Sequence, residues 1–179
     1  MLDRAGKDRA KLRQGFEQRW LGHHFPGAQL DALAVDAGPA GTRVRYTFKA
    51  AGFADRQDGE LRLRPVFFRA LPGRRFGTEP QRKTTLSLGP DVPLDLDAEF
   101  VLPAGAKVLE VGQGGEVSAG QARFSERRQV VDGSTVKLHR SSRLPLMRVR
   151  PAEYQAVAAK LRAVDSLEQA EIRIAVPGK

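Results

Sequence analysis

From about Gln29 to Arg143, apolar residues recur at every second position, the period of a strand that buries one face. In TRVRYTFK, Thr42 to Lys49, the residues Val44, Tyr46 and Phe48 share one face, and Arg43, Arg45, Thr47 and Lys49 share the other. ELRLR, Glu60 to Arg64, repeats the pattern after the turn signal Asp58-Gly59. TTLSL (Thr84 to Leu88), AEFVL (Ala98 to Leu102) and KVLEV (Lys107 to Val111) are further strands, divided by Gly-Pro, Asp-Val-Pro and Pro-Ala-Gly. QARFSERRQVV and STVKLHRSS flank Asp132-Gly133, which predicts a two-residue hairpin turn. Short strands with no helix-length pattern between them predict a mainly antiparallel β-sandwich rather than repeated βαβ units.

The two ends follow the helical period instead. Leu12, Phe16 and Trp20 recur at i, i+4 and i+8, so about Asp3 to His23 reads as a helix. The Phe25-Pro26-Gly27 turn stops it, because proline cannot continue a helix. Near the C-terminus, Pro151 suits a first helical turn, and Tyr154, Val157, Ala158, Leu161 and Val164 form one apolar stripe. EIRIAV, Glu171 to Val176, alternates again as a last strand. The predicted unit is a helix and turn over 1–27, joined to a β-sandwich domain over 28–179. Its C-terminal helix covers about 151–168.

Composition narrows the chemistry. A length of 179 residues suits one domain with a proper core, and 18 glycines with 11 prolines supply the turns of a β-rich fold. No apolar run approaches the roughly 20 residues that cross a bilayer, so no membrane span is expected. The chain has no cysteine, which removes disulfides, thiolate metal ligands and cysteine nucleophiles together. MLDRAGKDRAKLRQ is charged where a signal peptide needs an apolar core. That predicts a cytoplasmic chain, or a piece without its natural N-terminus. The net charge of +9 invites nucleic acid as a partner. Yet Arg43, Arg45, Arg62, Arg64, Arg127, Arg128, Arg140, Arg143, Arg148 and Arg150 are scattered, and many alternate with apolar residues. That pattern predicts a solvated outer face.

KVLEVGQGGEVSAG, Lys107 to Gly120, brings a strand into a glycine cluster, with Asp132 about twenty positions after Gly112. Alone, it looks like the cofactor loop of an S-adenosylmethionine methyltransferase. Such a loop needs a following helix, and EVSAGQARFSERRQVV leads straight into strands. The stretch is therefore expected to be a loop between strands, with Asp132 serving a turn, and no cofactor is expected. His23 and His24 are adjacent and diverge by roughly 100° on a helix, so they do not share a metal. Asp95, Asp97 and Glu99 alternate like calcium-loop ligands, but Phe100 and Ala106 stand where the glycine and the bidentate glutamate belong. No G-x-S-x-G elbow or P-loop is present, so no catalytic or metal-binding residue is assigned. The best contact surface is the segment with Phe68, Arg69, Arg74, Arg75 and Phe76, where basic and aromatic residues converge in an exposed loop.

Two longer stretches carry a resemblance. RWLGHHFPGAQLDALAV resembles the place where, in large bacterial transglutaminase-like proteins, a helix ends at a Phe-Pro-Gly turn and opens the C-terminal β-domain. LPLMRVRPAEYQAVAAKLRAVDSLEQAEIRI resembles the end of that domain, and DVPLDLDAEFVLPAGAKVLEV matches its style of paired strands. The resemblance implies an N-terminal β-domain and a papain-like Cys/His/Asp core elsewhere in the whole protein, with a periplasmic location. It also implies that this chain is the non-catalytic C-terminal domain, in which Pro151, Tyr154 and Asp165 play architectural parts.

The function expected is an accessory or interaction domain that packs on a transglutaminase-like core or presents a surface to another protein. The alternative is a stand-alone binding module for an anionic polymer, nucleic acid or acidic glycan, through the Arg74/Arg75 loop. An enzyme with an unrecognised site is a third reading, which lacks any acid/base constellation.

Overall fold

The computed structural model describes residues 2–39, 41–65, 67–91 and 93–177. Val92 of the Asp-Val-Pro turn and the Arg43 side chain lie outside the described residues. The chain is mainly β, with antiparallel sheets, an N-terminal helix, and a C-terminal helix followed by a last strand. It divides into two compact units, Met1–Phe53 and Ala54–Lys179. The boundary drawn at 27/28 from the sequence falls inside the first of them.

In the first unit, helix α1 (Leu2–Gly15) runs through a π-helical turn (Phe16–Leu21) into the short α2 (Gly22–His24). Phe25 N donates to Leu21 O at 2.7 Å and Ala28 N to Phe25 O at 3.0 Å, closing the Phe-Pro-Gly turn with Gly27 at φ +78°. Strands β1 (Gln29–Gly38) and β2 (Gly41–Lys49) pair antiparallel. Phe16 stacks on Trp20 at 4.9 Å, and both rings meet Tyr46, at 5.0 and 5.3 Å. The predicted aromatic stripe is therefore the contact between helix and hairpin. A strand edge leaves backbone groups unpaired. Here Glu17 accepts from Leu30 N at 2.8 Å, and Arg13 donates to the carbonyls of Leu30 and Asp31.

The second unit holds β3 (Ala54–Gln57), β4 (Glu60–Leu63), α3 (Pro72–Phe76), β5 (Leu86–Leu88), β6 (Leu94–Val101) and β7 (Lys107–Glu110). There follow β8 (Gly115–Ala119), β9 (Ala122–Val130), β10 (Thr135–Arg143), β11 (Met147–Val149), α4 (Pro151–Gln169) and β12 (Ile172–Ala175). One four-stranded sheet has the order β6-β10-β9-β8, a second has β3-β4-β12-β7, and β11 pairs with β5. The last strand is thus central to its sheet, held by β4 and β7 on either side. Asp58 (φ +51°) and Gly59 (φ +81°) make the predicted β3–β4 turn.

Two apolar clusters fill this unit. In one, Val136 of β10 and Phe100 of β6 meet Leu63 of β4 and Ile172 and Ile174 of β12, so the two large sheets pack face to face. In the other, Ala119, Ala122 and Phe124 of the first sheet meet Tyr154, Ala158, Leu161 and Val164. That is the predicted stripe of α4. Full burial of each large apolar side chain contributes roughly 1.5–3 kcal/mol, so α4 is part of the core and not an appendage.

The β9–β10 hairpin differs from its two-residue expectation. Four residues, 131–134, separate Val130 from Thr135, with Val131 N donating to Thr135 O at 2.9 Å. The Asp132 carboxylate accepts from Ser134 N at 3.0 Å and Ser134 Oγ at 2.9 Å. Asp132 thus closes a side-chain turn and leaves the left-handed conformation to Gly133 alone, at φ +79°. These hydrogen bonds, the Ser134 hydroxyl first, hold the Asp132 carboxyl below its usual value.

A cross-strand pair ties β12 to β4: Arg173 donates to both Glu60 carboxylate oxygens, at 3.0 and 2.9 Å. That hydrogen bonding lowers the Glu60 pKa, with the Arg173 charge adding to it. A carboxylate depressed on folding stabilises above its unfolded pKa and loses that contribution as pH falls through the folded value. An NMR titration is expected to place Glu60 below free glutamate and Arg173→Gln to return it there. A Glu60 that titrates like free glutamate in the unaltered protein would break this link.

Candidate functional site

Segment 67–79 carries all five residues of the expected contact surface, and its backbone is unusual. Phe68 (φ +55°) and Leu71 (φ +42°) are non-glycine residues in the left-handed region. Such conformations persist only where the surroundings over-determine them. Those surroundings are buried charges. The Glu168 carboxylate accepts from Ala70 N at 3.1 Å and Leu71 N at 2.8 Å. Asp165 accepts from Gly73 N and Arg74 N, both at 2.8 Å, at the start of α3. The Arg140 guanidinium donates to Phe67 O at 3.1 Å and Phe68 O at 3.4 Å, and pairs with Glu168. The Arg140 and Glu168 side chains are only 3% and 1% exposed.

Close packing completes the anchor. A Cβ on Gly73 would lie 2.7 Å from the Arg162 Cα and from the Asp165 carboxylate, so only glycine lets α3 approach α4. The buried Tyr154 hydroxyl donates to Phe76 O at 3.3 Å and accepts from Glu79 N at 3.1 Å. Arg162 donates to Gly77 O at 2.7 Å. Pro151 opens α4 as its first turn requires, and Tyr154 and Asp165 both hold the α3 segment.

The expected exposed loop is therefore a short helix, with Pro72 and Gly73 buried and Phe76 packed against the core of α4. Arg69, Arg74 and Arg75 face solvent, and Phe68 is half-buried. Arg75 forks onto Asp91 at 2.6 and 3.2 Å, with its guanidinium 4.8 Å from the Phe76 ring centroid. Arg74 reaches Gln169 at 3.2 Å. The structure thus brings Arg74, Arg75 and Phe76 together on one turn of helix. Its chemistry is that of contact: guanidinium donors and aromatic faces.

Sequence reasoning missed the charges beneath this surface. Arg128 and Arg140, expected on the solvated face, both point inward. Val136, Leu138, Arg140 and Ser142 are all buried on β10, as are Ala122, Phe124 and Glu126 on β9. The signal was parity, because Arg140 shares its face with Val136 and Leu138. Arg128 shares its face with Phe124 and Glu126. Arg128 donates to Glu126 at 2.7 Å, to Val111 O at 2.8 Å, and to Leu167 O and Ala170 O at 3.2 and 3.3 Å. It thereby satisfies carbonyls at the C-terminal end of α4, where a cation is favoured. Burial pushes the Arg140 guanidinium down, and the Glu126 charge opposes the shift.

The glycine stretch crosses above this cluster. A Cβ on Gly112 (φ +67°) would meet the Arg128 guanidinium, and one on Gly114 would collide with the Glu126 carbonyl. The glycines therefore let a loop between β7 and β8 lie close to buried ions. On the opposite, solvent-facing side of the first sheet, His139 Nδ1 lies 2.9 Å from Asp97, and Lys137 lies 3.7 Å from Glu99. Among the described residues, no group of His, Asp and Glu side chains could hold a metal ion. Among them, too, no helix is long and apolar enough to cross a membrane.

No protein-family model and no curated protein matches the chain. A solved structure from Parabacteroides distasonis, described as a putative protease, is similar in fold, with a TM-score of 0.51 and 14% identity. The similarity covers 67% of this chain and 24% of that longer one.

Removing one partner of a buried ion pair leaves an uncompensated charge, at a cost of about 3–5 kcal/mol. Glu168→Ala is expected to destabilise by that order in urea denaturation. Arg140→Met combined with Glu168→Ala should cost less than the sum of the two single substitutions, while the amides of Ala70 and Leu71 still lose their acceptor. Equal, additive losses in the double-mutant cycle would deny the coupling.

Proposed function

We propose that the chain is a non-catalytic accessory domain of a periplasmic transglutaminase-like protein, which docks on the core of that protein or on another protein. The contact face is the α3 surface with Phe68, Arg69, Arg74, Arg75 and Phe76. One observation carries the reading: the nearby buried ionisable groups, Arg140, Asp165 and Glu168, are spent on holding the backbone of this segment. A site that reacts needs groups free to exchange protons with a substrate; a site that docks needs a surface held still. The partial match to a longer chain, in fold alone, agrees with a module of a larger protein.

Docking of this domain on the transglutaminase-like core encoded in its own reading frame can be measured by calorimetry. Arg69→Glu with Arg74→Glu is expected to weaken it at least about tenfold, as loss of interface arginines does. A reading frame with no Cys/His/Asp core would contradict the proposal. Heparin binding that falls steeply with salt and disappears in the same variant would instead favour the anionic-polymer module.

A further inference from the structure

An unprotected sheet edge invites a further strand. Strand β6 ends its sheet and pairs with β10 over eight successive positions, Val101↔Thr135 to Leu94↔Ser142, without a register shift. Among the described residues, its second edge makes no backbone hydrogen bond. Native edges are commonly blunted by shortness, bulges, prolines or charged side chains, which turn away strands of like charge. The other edges of the two large sheets show such devices: β3 and β7 have four residues each, and β7 carries a bulge where Leu109 is looped outward between Val108 and Glu110. Strand β8 has five residues, with Val117 turned into the core of α4. Strand β6, LDLDAEFV, runs eight residues without a bulge, proline or lysine, and the charges it carries, Asp95, Asp97 and Glu99, are all acidic.

Its side chains specify what could pair with it. Leu94, Leu96, Ala98 and Phe100 are half-buried on the inner side, while Asp95, Asp97 and Glu99 are exposed on the outer side. The neighbour already present shows the complementary pattern. On β10, Lys137 and His139 face those carboxylates, while Val136 and Leu138 turn inward. A second copy of β6 would set carboxylate against carboxylate, and like charges directly opposite each other are unfavourable.

We propose that the open edge of β6 binds an extended peptide strand in which basic residues alternate with apolar ones. Its backbone continues the sheet, its basic residues pair with Asp95, Asp97 and Glu99, and its apolar residues extend the row from Leu94 to Phe100. The proposal rests on the reading of the chain as an interaction domain and names a second surface, distinct from the α3 face.

The test uses amide hydrogen exchange with a blocked synthetic peptide of alternating lysine and valine, matched in length to β6. The amides of β6 that point away from β10 are expected to slow. The same peptide with glutamate for lysine should leave them unchanged. Asp95→Asn/Asp97→Asn/Glu99→Gln should weaken binding of the lysine peptide about tenfold, from three cross-strand pairs, while β10 amides keep their protection. Unchanged β6 amides with the lysine peptide, or equal slowing by both peptides, would overturn the proposal. If β6 fails while the α3 face still docks its core, the accessory-domain reading stands without this edge. If β6 binds its strand while no core exists, the edge stands and that reading falls.

Discussion

The pairing of Arg140 with Glu168, inside the protein and away from water, is the constraint on which the second unit depends. Arg140 comes from the inner face of β10, Glu168 from the last turns of α4, and the segment they jointly hold precedes α3. Three elements far apart in sequence meet at one pair of charges. The same unit holds two apolar clusters, one joining the large sheets and one joining sheet to helix. This ionic layer ties α4 and β10 to the same stretch of backbone, residues 67–71.

Burying charge is unfavourable unless every polar atom is engaged, and this cluster comes close. Arg128 spreads its donors over Glu126 and three carbonyls, and Asp165 uses both oxygens on backbone amides. Glu126 Oε2 and Arg140 Nη2 are buried with no hydrogen-bond partner among the described residues, although the other Glu126 oxygen is paired with Arg128 and Arg140 Nη2 lies in ion-pair contact with Glu168. The left-handed Phe68 and Leu71 lie where the carboxylate of Glu168 and the guanidinium of Arg140 bind the chain. The strain of these residues and the burial of these charges are two sides of one arrangement. Together they fix the exposed Arg69, Arg74 and Arg75 on a rigid base.

The sequence reading succeeded where a single local rule decides the outcome. The stripe Tyr154, Ala158, Leu161, Val164 settles α4, Pro151 starts it, and alternation settles β10, β12 and the Ala98–Val101 end of β6. It fell short where two rules compete. Arginine in a strand usually faces water, and that expectation outweighed the parity that sets Arg140 beside Leu138. Asp-Gly suggested a two-residue turn, whereas the Asp132 side chain captured Ser134 and lengthened it. The short helix α3 is invisible locally, because its amides are capped by Asp165 from far along the chain. The division at Phe53 leaves no mark in composition either, since β2 and β4 alternate alike.

Native-state hydrogen exchange tests the central claim most directly, because the amides of Leu71, Gly73 and Arg74 donate to Glu168 and Asp165. If the ionic layer unites α3, α4 and the sheet, these amides open only with the whole unit, with the same free energy as Leu138 in β10. Fast exchange at Leu71 and Gly73 beside a protected Leu138 would show a surface loop merely resting on the core, and would contradict the account.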